Sequence, residues 1–102
     1  MSILIFQHDR EEGPARLGAI LRDLGHRLRV IELFEGALVP PDFDDVEGVI
    51  SLGGPMDVDG TGTHPWIDPE RAYLKEAHER GMPVIGICLG AQLVATALGG
   101  AV

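Results

Sequence analysis

The sequence contains a single cysteine, Cys88, among its 102 residues. One thiol excludes a disulfide within the chain and also excludes a zinc site built from several cysteines. A reducing compartment is consistent with this composition, because it keeps a lone thiol available for chemistry. The cysteine content therefore predicts a cytoplasmic protein with one usable thiol.

Basic residues are also few, with 8 Lys and Arg against 16 Asp and Glu, which gives a formal net charge of −8. This charge repels phosphate backbones and anionic lipid, so we expect no nucleic-acid or membrane partner. No apolar run is long enough to cross a bilayer, and the N-terminus lacks the basic flank of a signal peptide. The sequence indicates no cofactor and no metal site.

Four short apolar runs have the pattern of buried parallel strands: residues 3–6, 28–33, 49–52 and 84–87. Helical patterns alternate with them in the order strand, helix, strand, strand, helix, strand, helix. This order predicts an α/β fold with a parallel sheet and helices on both faces. The length and the lack of an internal boundary indicate that residues 1–102 are one small domain or part of one.

Breaking residues give bounds for the helices and loops. The first helix begins near Pro14 and ends at Gly25. The second helix has Asp68 as its predicted N-cap and Pro69 in its first turn, and it ends at Gly81. Pro, Gly and Asp in residues 35–47 predict a loop. The first helix presents one apolar face, formed by Leu17, Ile20, Leu21 and Leu24.

The most informative segment joins the fourth strand to the third helix, residues 89–98. Cys88 stands there in a G-x-C-x-G pattern, which is the nucleophile elbow with cysteine in place of serine. The sharp turn brings the residues two before and two after it close to neighbouring chain, which favours Gly86 and Gly90. The helix N-terminus favours the reactive thiolate at Cys88. The alternative is that Cys88 is a small buried hydrophobic residue.

A second glycine-rich segment, Ser51-Leu52-Gly53-Gly54-Pro55-Met56, follows the third strand. Ligands of open parallel sheets bind beyond the carboxyl ends of the strands, so we expect Gly54 and Cys88 at the same edge. An oxyanion hole needs backbone N–H groups, and Leu89 and this loop are placed to supply them. The alternative is that the glycines only form a turn.

Two segments carry a resemblance to a known family: S-L-G-G-P-M-D and P-V-I-G-I-C-L-G-A-Q-L-V-A-x-A-L-G-G. Together they resemble the class I glutamine amidotransferase family, in particular stand-alone members related to the glutaminase domain of GMP synthase. The resemblance implies a flavodoxin-like domain of which residues 1–102 are the N-terminal portion. It implies Cys88 as the nucleophile that forms a γ-glutamyl thioester, Gly54 and Leu89 as oxyanion-hole amides, and Gln92 as a residue that holds the substrate. It also implies L-glutamine as substrate and an ammonia-accepting synthetase as partner, and it leaves a homo-oligomer open.

The family completes its catalytic triad with a His-x-Glu pair downstream of the cysteine, and no histidine follows Cys88 here. We expect His26 and His78 at the surface. His8 and His64 follow strand ends, and we interpret both as loop residues with local hydrogen bonds. Open alternatives are a γ-glutamyl hydrolase, an inactive truncated fragment or binding subunit, and a redox-sensing or chaperone-like protein.

Overall fold

The computed structural model describes residues 1–54 and 64–99, and four of its segments form one sheet. The strands are β1 (Ser2–Gln7), β2 (Arg27–Glu32), β3 (Val46–Ser51) and β4 (Val84–Gly86). All three pairings are parallel, and the order across the sheet is β2-β1-β3-β4. The predicted parallel sheet is confirmed, and its order is that of the first four strands of the flavodoxin-like arrangement.

Three α-helices in the described residues accompany the sheet: α1 (Ala15–Asp23), α2 (Ile67–Glu79) and α3 (Leu89–Ala97). A short 3₁₀ helix, Leu33–Glu35, overlaps the start of the segment 35–47, and β3 begins within the end of that segment. None of the helices in the described part of the chain is long and apolar enough to span a membrane.

The apolar side chains of the strands divide between the two faces of the sheet. Leu4 and Phe6 face α2 and α3, where they pack with Leu74 and Leu93. Ile5, between them in sequence, faces the other way and packs with Ile50, Leu52 and the two α1 residues Leu17 and Leu21. This alternation is that of successive side chains in a strand. Helices therefore cover both faces, as the sequence predicts.

The predicted apolar face of α1 is only half correct. Leu17 and Leu21 contact the sheet, whereas Ile20 is 50% exposed and Leu24 is 70% exposed. Leu17 and Leu21 are four residues apart and lie on one stripe of the helix. The sheet lies against that stripe, so the residues beside it remain at the surface.

The start of α2 also differs from the prediction. Trp66 occupies the N-cap position without a side-chain hydrogen bond, and Asp68 lies inside the first turn. The Asp68 carboxylate accepts a hydrogen bond from Arg71 at 3.2 Å instead of capping the helix. Pro69 does lie in the first turn. The predicted end at Gly81 is confirmed, because its φ of 75° is in the left-handed region that ends helices.

Candidate active site

The carboxyl ends of the four strands lie at one edge of the sheet, because all four run in the same direction. The chain after β1 leads to β2 on one side, whereas β3 and β4 lie on the other side of β1. Crevices form at such a change of direction between neighbouring strands, here β1 and β3. The elbow after β4 and the glycine-rich segment after β3 both reach this edge.

Cys88 joins β4 to α3 in a strained backbone conformation, with a φ of 53° and a ψ of −112°. A positive φ is uncommon for a residue with a side chain, and such strain costs about 1–3 kcal/mol. Cys88 is exposed, so the alternative of a buried hydrophobic cysteine is wrong. It occupies the N-cap position of α3, where the N–H groups of the first turn point toward it and give a partial positive charge.

Gly86 and Gly90 are held too close to neighbouring backbone for any side chain. A Cβ on Gly86 would lie 2.4 Å from the carbonyl oxygen of Gly90, and a Cβ on Gly90 would lie 1.9 Å from that of Ser51. A hydrogen bond holds the elbow against β3 at the same place, because the N–H of Ile87 donates to Ser51 O at 3.0 Å. The absence of both Cβ atoms therefore lets the elbow close against β3.

The Gly53–Gly54 loop, which we define as these two residues, lies beside the elbow. A Cβ on Gly53 would be 3.4 Å from Cys88 Cβ. The N–H groups of Gly54 and Leu89 have no hydrogen-bond acceptor among residues 1–54 and 64–99. Pro55, Met56 and Asp57 of the same motif lie outside the described residues.

A cavity of about 280 Å³ adjoins Cys88. Its walls come from the loop after β1, from α1 and from the Gly53–Gly54 loop, and they include Glu12, Pro14, Leu17, Gly53 and Cys88. Gln92 lies one helical turn beyond Cys88 and is partly exposed, and its backbone N–H donates to Cys88 O at 3.2 Å. Gln92 is not among the described residues that line the cavity.

Glu12 brings to this cavity a charge that the sequence patterns did not predict. Its Oε1 atom lies 3.1 Å from the position that a Cβ on Gly53 would occupy, on the same side as Cys88. Within the described part of the chain, no cation forms an ion pair with this carboxylate. Its position after the first strand is the only signal in the sequence that points to it.

His8 lies just after β1, outside the strand, but the prediction that its hydrogen bonds are local is wrong. It is 1% exposed, and its Nδ1 lies 2.9 Å from Leu52 O. Its Nε2 lies 2.6 Å from Glu70 Oε1, and Ser51 Oγ donates to Glu70 Oε2 at 2.5 Å. The Trp66 ring stacks on the imidazole at 4.8 Å. These contacts bind β1, β3 and α2 together.

The other histidines lie apart from the thiol. His64 stays local, with its ring 5.4 Å from that of Trp66, and it lines a separate cavity of about 700 Å³ together with His8. His78 is exposed, as predicted. His26 is partly buried beside Glu47, with 3.2 Å between Nδ1 and Oε1. None of the histidines lines the described walls of the Cys88 cavity.

Comparison with known proteins gives a consistent result. A family model described as "Glutamine amidotransferase class-I" matches residues 16–102. The chain is 42% identical over 82 residues to a glutamine-hydrolysing GMP synthase subunit of Natronomonas pharaonis, covering 80% of this chain and 36% of that protein. It is 34% identical over 91 residues to "Putative glutamine amidotransferase-like protein YfeJ" of Salmonella typhimurium, covering 83% of this chain and 38% of that protein.

A solved structure agrees over nearly the whole chain. The glutamine amido transferase from Methylobacillus flagellatus superposes with a TM-score of 0.89 at 32% identity, over 96% of this chain and 39% of that one. The chain thus spans less than two-fifths of the length of each of these three proteins.

Proposed function

Because the chain belongs to the class I glutamine amidotransferase family, we propose that it carries the nucleophile part of a glutaminase site, with Cys88 attacking the side-chain amide of glutamine. The observation that carries this proposal is the exposed Cys88 thiol, which stands on a strained elbow beside a glycine-rich loop. Strain of this kind persists where the surrounding structure enforces it, and it is concentrated at active sites.

In the proposed reaction, the Cys88 thiolate adds to the Cδ carbonyl of glutamine and forms a tetrahedral intermediate. The negative oxygen accepts hydrogen bonds from the N–H groups of Gly54 and Leu89, which lack acceptors among the described residues. Collapse of the intermediate expels the nitrogen as ammonia and leaves a γ-glutamyl thioester. Water then cleaves the thioester to glutamate and restores the thiol.

Protonation of the leaving nitrogen and activation of water require a general acid and base. In the family this is the histidine of the His-x-Glu pair, and residues 89–102 contain no histidine. His8 and His64 are poor substitutes, because neither lines the Cys88 cavity and both Nδ1 and Nε2 of His8 have buried partners. We propose that residues 1–102 are the N-terminal portion of one glutamine amidotransferase domain, which agrees with the share of the relatives' length that the chain spans.

The substrate in this proposal is free L-glutamine. The Glu12 carboxylate, which forms no ion pair within residues 1–54 and 64–99, would bind its α-ammonium group, since both Glu12 and Cys88 line the cavity. The Gln92 side chain, one turn into α3 and partly exposed, would help to hold the substrate. We propose a cytoplasmic setting and a separate synthetase as ammonia acceptor, by analogy with relatives that are named as one subunit of GMP synthase.

The test is selective alkylation of the thiol, which intact-mass measurement follows without ambiguity because the chain has one cysteine. We expect a chloroketone analogue of L-glutamine to alkylate Cys88 faster than iodoacetamide does. We also expect L-glutamine, but not D-glutamine, to slow the chloroketone. Cys88→Ser is the control and should not be labelled. Equal chloroketone rates with and without L-glutamine would contradict the proposal.

A further inference from the structure

We propose that His8 is a positioning residue, which with Glu70 and Ser51 holds the Gly53–Gly54 loop in the orientation that an oxyanion hole requires. This inference rests on the proposed function and adds to it a residue that does not line the Cys88 cavity. We name the three side chains the His8 network. All are essentially buried, with exposures of 1%, 0% and 0%, and the proposed reaction uses none of them directly.

The bonding pattern of the network fixes where its protons lie. Leu52 O can only accept a hydrogen bond, so Nδ1 of His8 carries a proton and donates it at 2.9 Å. The Ser51 hydroxyl donates to Oε2 of Glu70 at 2.5 Å. One further proton lies between His8 Nε2 and Glu70 Oε1, which are 2.6 Å apart. Every polar atom of these side chains thus has a partner, which stabilises one arrangement of a buried network.

The network reaches the loop through one peptide plane. The carbonyl of Leu52 and the N–H of Gly53 belong to the same planar unit, so fixing the carbonyl also fixes the start of the loop, one residue before the Gly54 N–H. That carbonyl accepts two hydrogen bonds, one from His8 and one from Gly90 N–H at 3.1 Å. The second bond links the loop to the elbow, and the first links it to β1 and α2.

This anchoring matters because two glycines follow Leu52. Glycine has the widest choice of backbone conformations, so an unanchored Gly53–Gly54 loop would not keep its N–H groups in one direction. An oxyanion hole requires donors that are already oriented before charge develops. The Leu52 carbonyl is the last anchored group before the loop, and His8 supplies one of its two bonds.

Two substitutions of His8 separate its two contacts. In His8→Asn the side-chain amide nitrogen takes the position of Nδ1, which keeps the bond to Leu52 O and loses Glu70. In His8→Gln the amide reaches the position of Nε2, which keeps Glu70 and loses Leu52 O. Each variant breaks one buried bond, so their losses of unfolding free energy should be similar. His26→Gln, at the other end of the sheet, is the matched control.

The measured quantity is the ratio of two alkylation rates at Cys88, that of the glutamine chloroketone to that of iodoacetamide. The chloroketone presents its ketone oxygen to the oxyanion hole, whereas simple alkylation depends mainly on the thiol. We expect His8→Gln to lower the ratio about tenfold or more, less than the roughly 100- to 1,000-fold loss seen when a donor is removed outright, because the N–H groups remain and only lose their orientation. His8→Asn should retain most of the ratio, and His26→Gln should leave it unchanged.

The pair Glu70→Gln and Glu70→Leu keeps the proposal testable if His8→Gln does not fold. The amide of Glu70→Gln can donate to Nε2 and accept from Ser51, so the ratio should persist. Glu70→Leu removes the contacts to His8 and Ser51 and lets the imidazole ring turn away from Leu52 O, so it should lower the ratio. A merely structural role would lower stability without changing the ratio. If the wild type prefers the chloroketone and both His8→Gln and Glu70→Leu keep that preference, the inference about His8 is wrong and the glutaminase proposal is unaffected. A wild type without preference or protection by glutamine overturns the glutaminase proposal as well.

Discussion

At the scale of single residues, the elbow depends on backbone atoms that approach within contact distance of each other. Gly90 lies against the carbonyl of Ser51, and Gly86 lies against that of Gly90. Cys88 lies between these two glycines, so the two close contacts hold its backbone at the strained φ. A methyl group at either crossing would push β3 and the elbow apart.

We predict that Gly90→Ala lowers the free energy of unfolding by about 3 kcal/mol or more, because the new Cβ would overlap Ser51 O. Urea denaturation measures the loss. Gly25→Ala is the matched control, since Gly25 also needs a special backbone, with a φ of 92°, but has open space around it. It should lose only about 1–2 kcal/mol. Equal losses in the two variants would contradict the steric explanation.

Glu12 provides a second prediction at this scale. Glu12→Gln removes the negative charge from the Cys88 cavity and keeps the size of the side chain. We expect the L-glutamine concentration that gives half-protection of Cys88 to rise roughly three- to tenfold, a modest effect because the carboxylate is exposed to solvent. Glu11→Gln, the neighbouring exposed position, should not change it. Unchanged protection in Glu12→Gln would exclude the proposed ammonium contact.

At the scale of elements, α2 connects the core to the loop before β3. Tyr73 on α2 lies edge-on to Phe6, with 5.5 Å between ring centroids, and stacks on Phe43 at 4.1 Å. Its hydroxyl donates to Asp42 O at 2.9 Å. Burial raises the pKa of Tyr73 to about 12, against the opposing charge of Arg29. Between about pH 10 and pH 12, the phenol is therefore neutral in the folded protein and ionised in the unfolded chain.

This shift predicts an alkaline limit to stability. The folded pKa is raised, so the stabilisation is fully present below about pH 10 and is lost as the pH rises through the folded pKa near 12. The loss of unfolding free energy over this interval should be about 2–3 kcal/mol. Urea denaturation at several pH values measures it, and Tyr73→Phe should lack this contribution. The phenolate absorbance is unambiguous, because the chain has one tyrosine. A Tyr73 titration near pH 10 in the folded protein would refute the explanation.

At the scale of the whole molecule, β4 lies at one side of the described sheet and pairs there with β3 alone. Ile85 on this strand is 53% exposed, and Ile87 just after it is 39% exposed. An apolar strand with unpaired backbone groups is a site for association with another chain.

We predict that residues 1–102 alone self-associate and release no measurable ammonia from glutamine. The first expectation follows from β4, and the second follows from the lack of a histidine after Cys88. Light scattering with size-exclusion chromatography gives the mass, and an ammonia assay gives the activity. Ile85→Lys should reduce association, because a charge on an edge strand opposes pairing. A monomeric chain that hydrolyses glutamine would contradict both expectations.

The sequence by itself determined the features that depend on neighbouring residues. Apolar runs fixed the four strands, glycines ended the helices, and the G-x-C-x-G pattern located the elbow, because each is a matter of local backbone geometry. The tertiary structure decided which side chains meet across the fold. His8 and Glu70 are 62 residues apart in sequence, and Ser51 and Glu70 are 19 apart. No local pattern encodes such contacts, since they arise only when β1, β3 and α2 pack together. The same packing turned Ile20 and Leu24 outward and brought Glu12 to the Cys88 cavity.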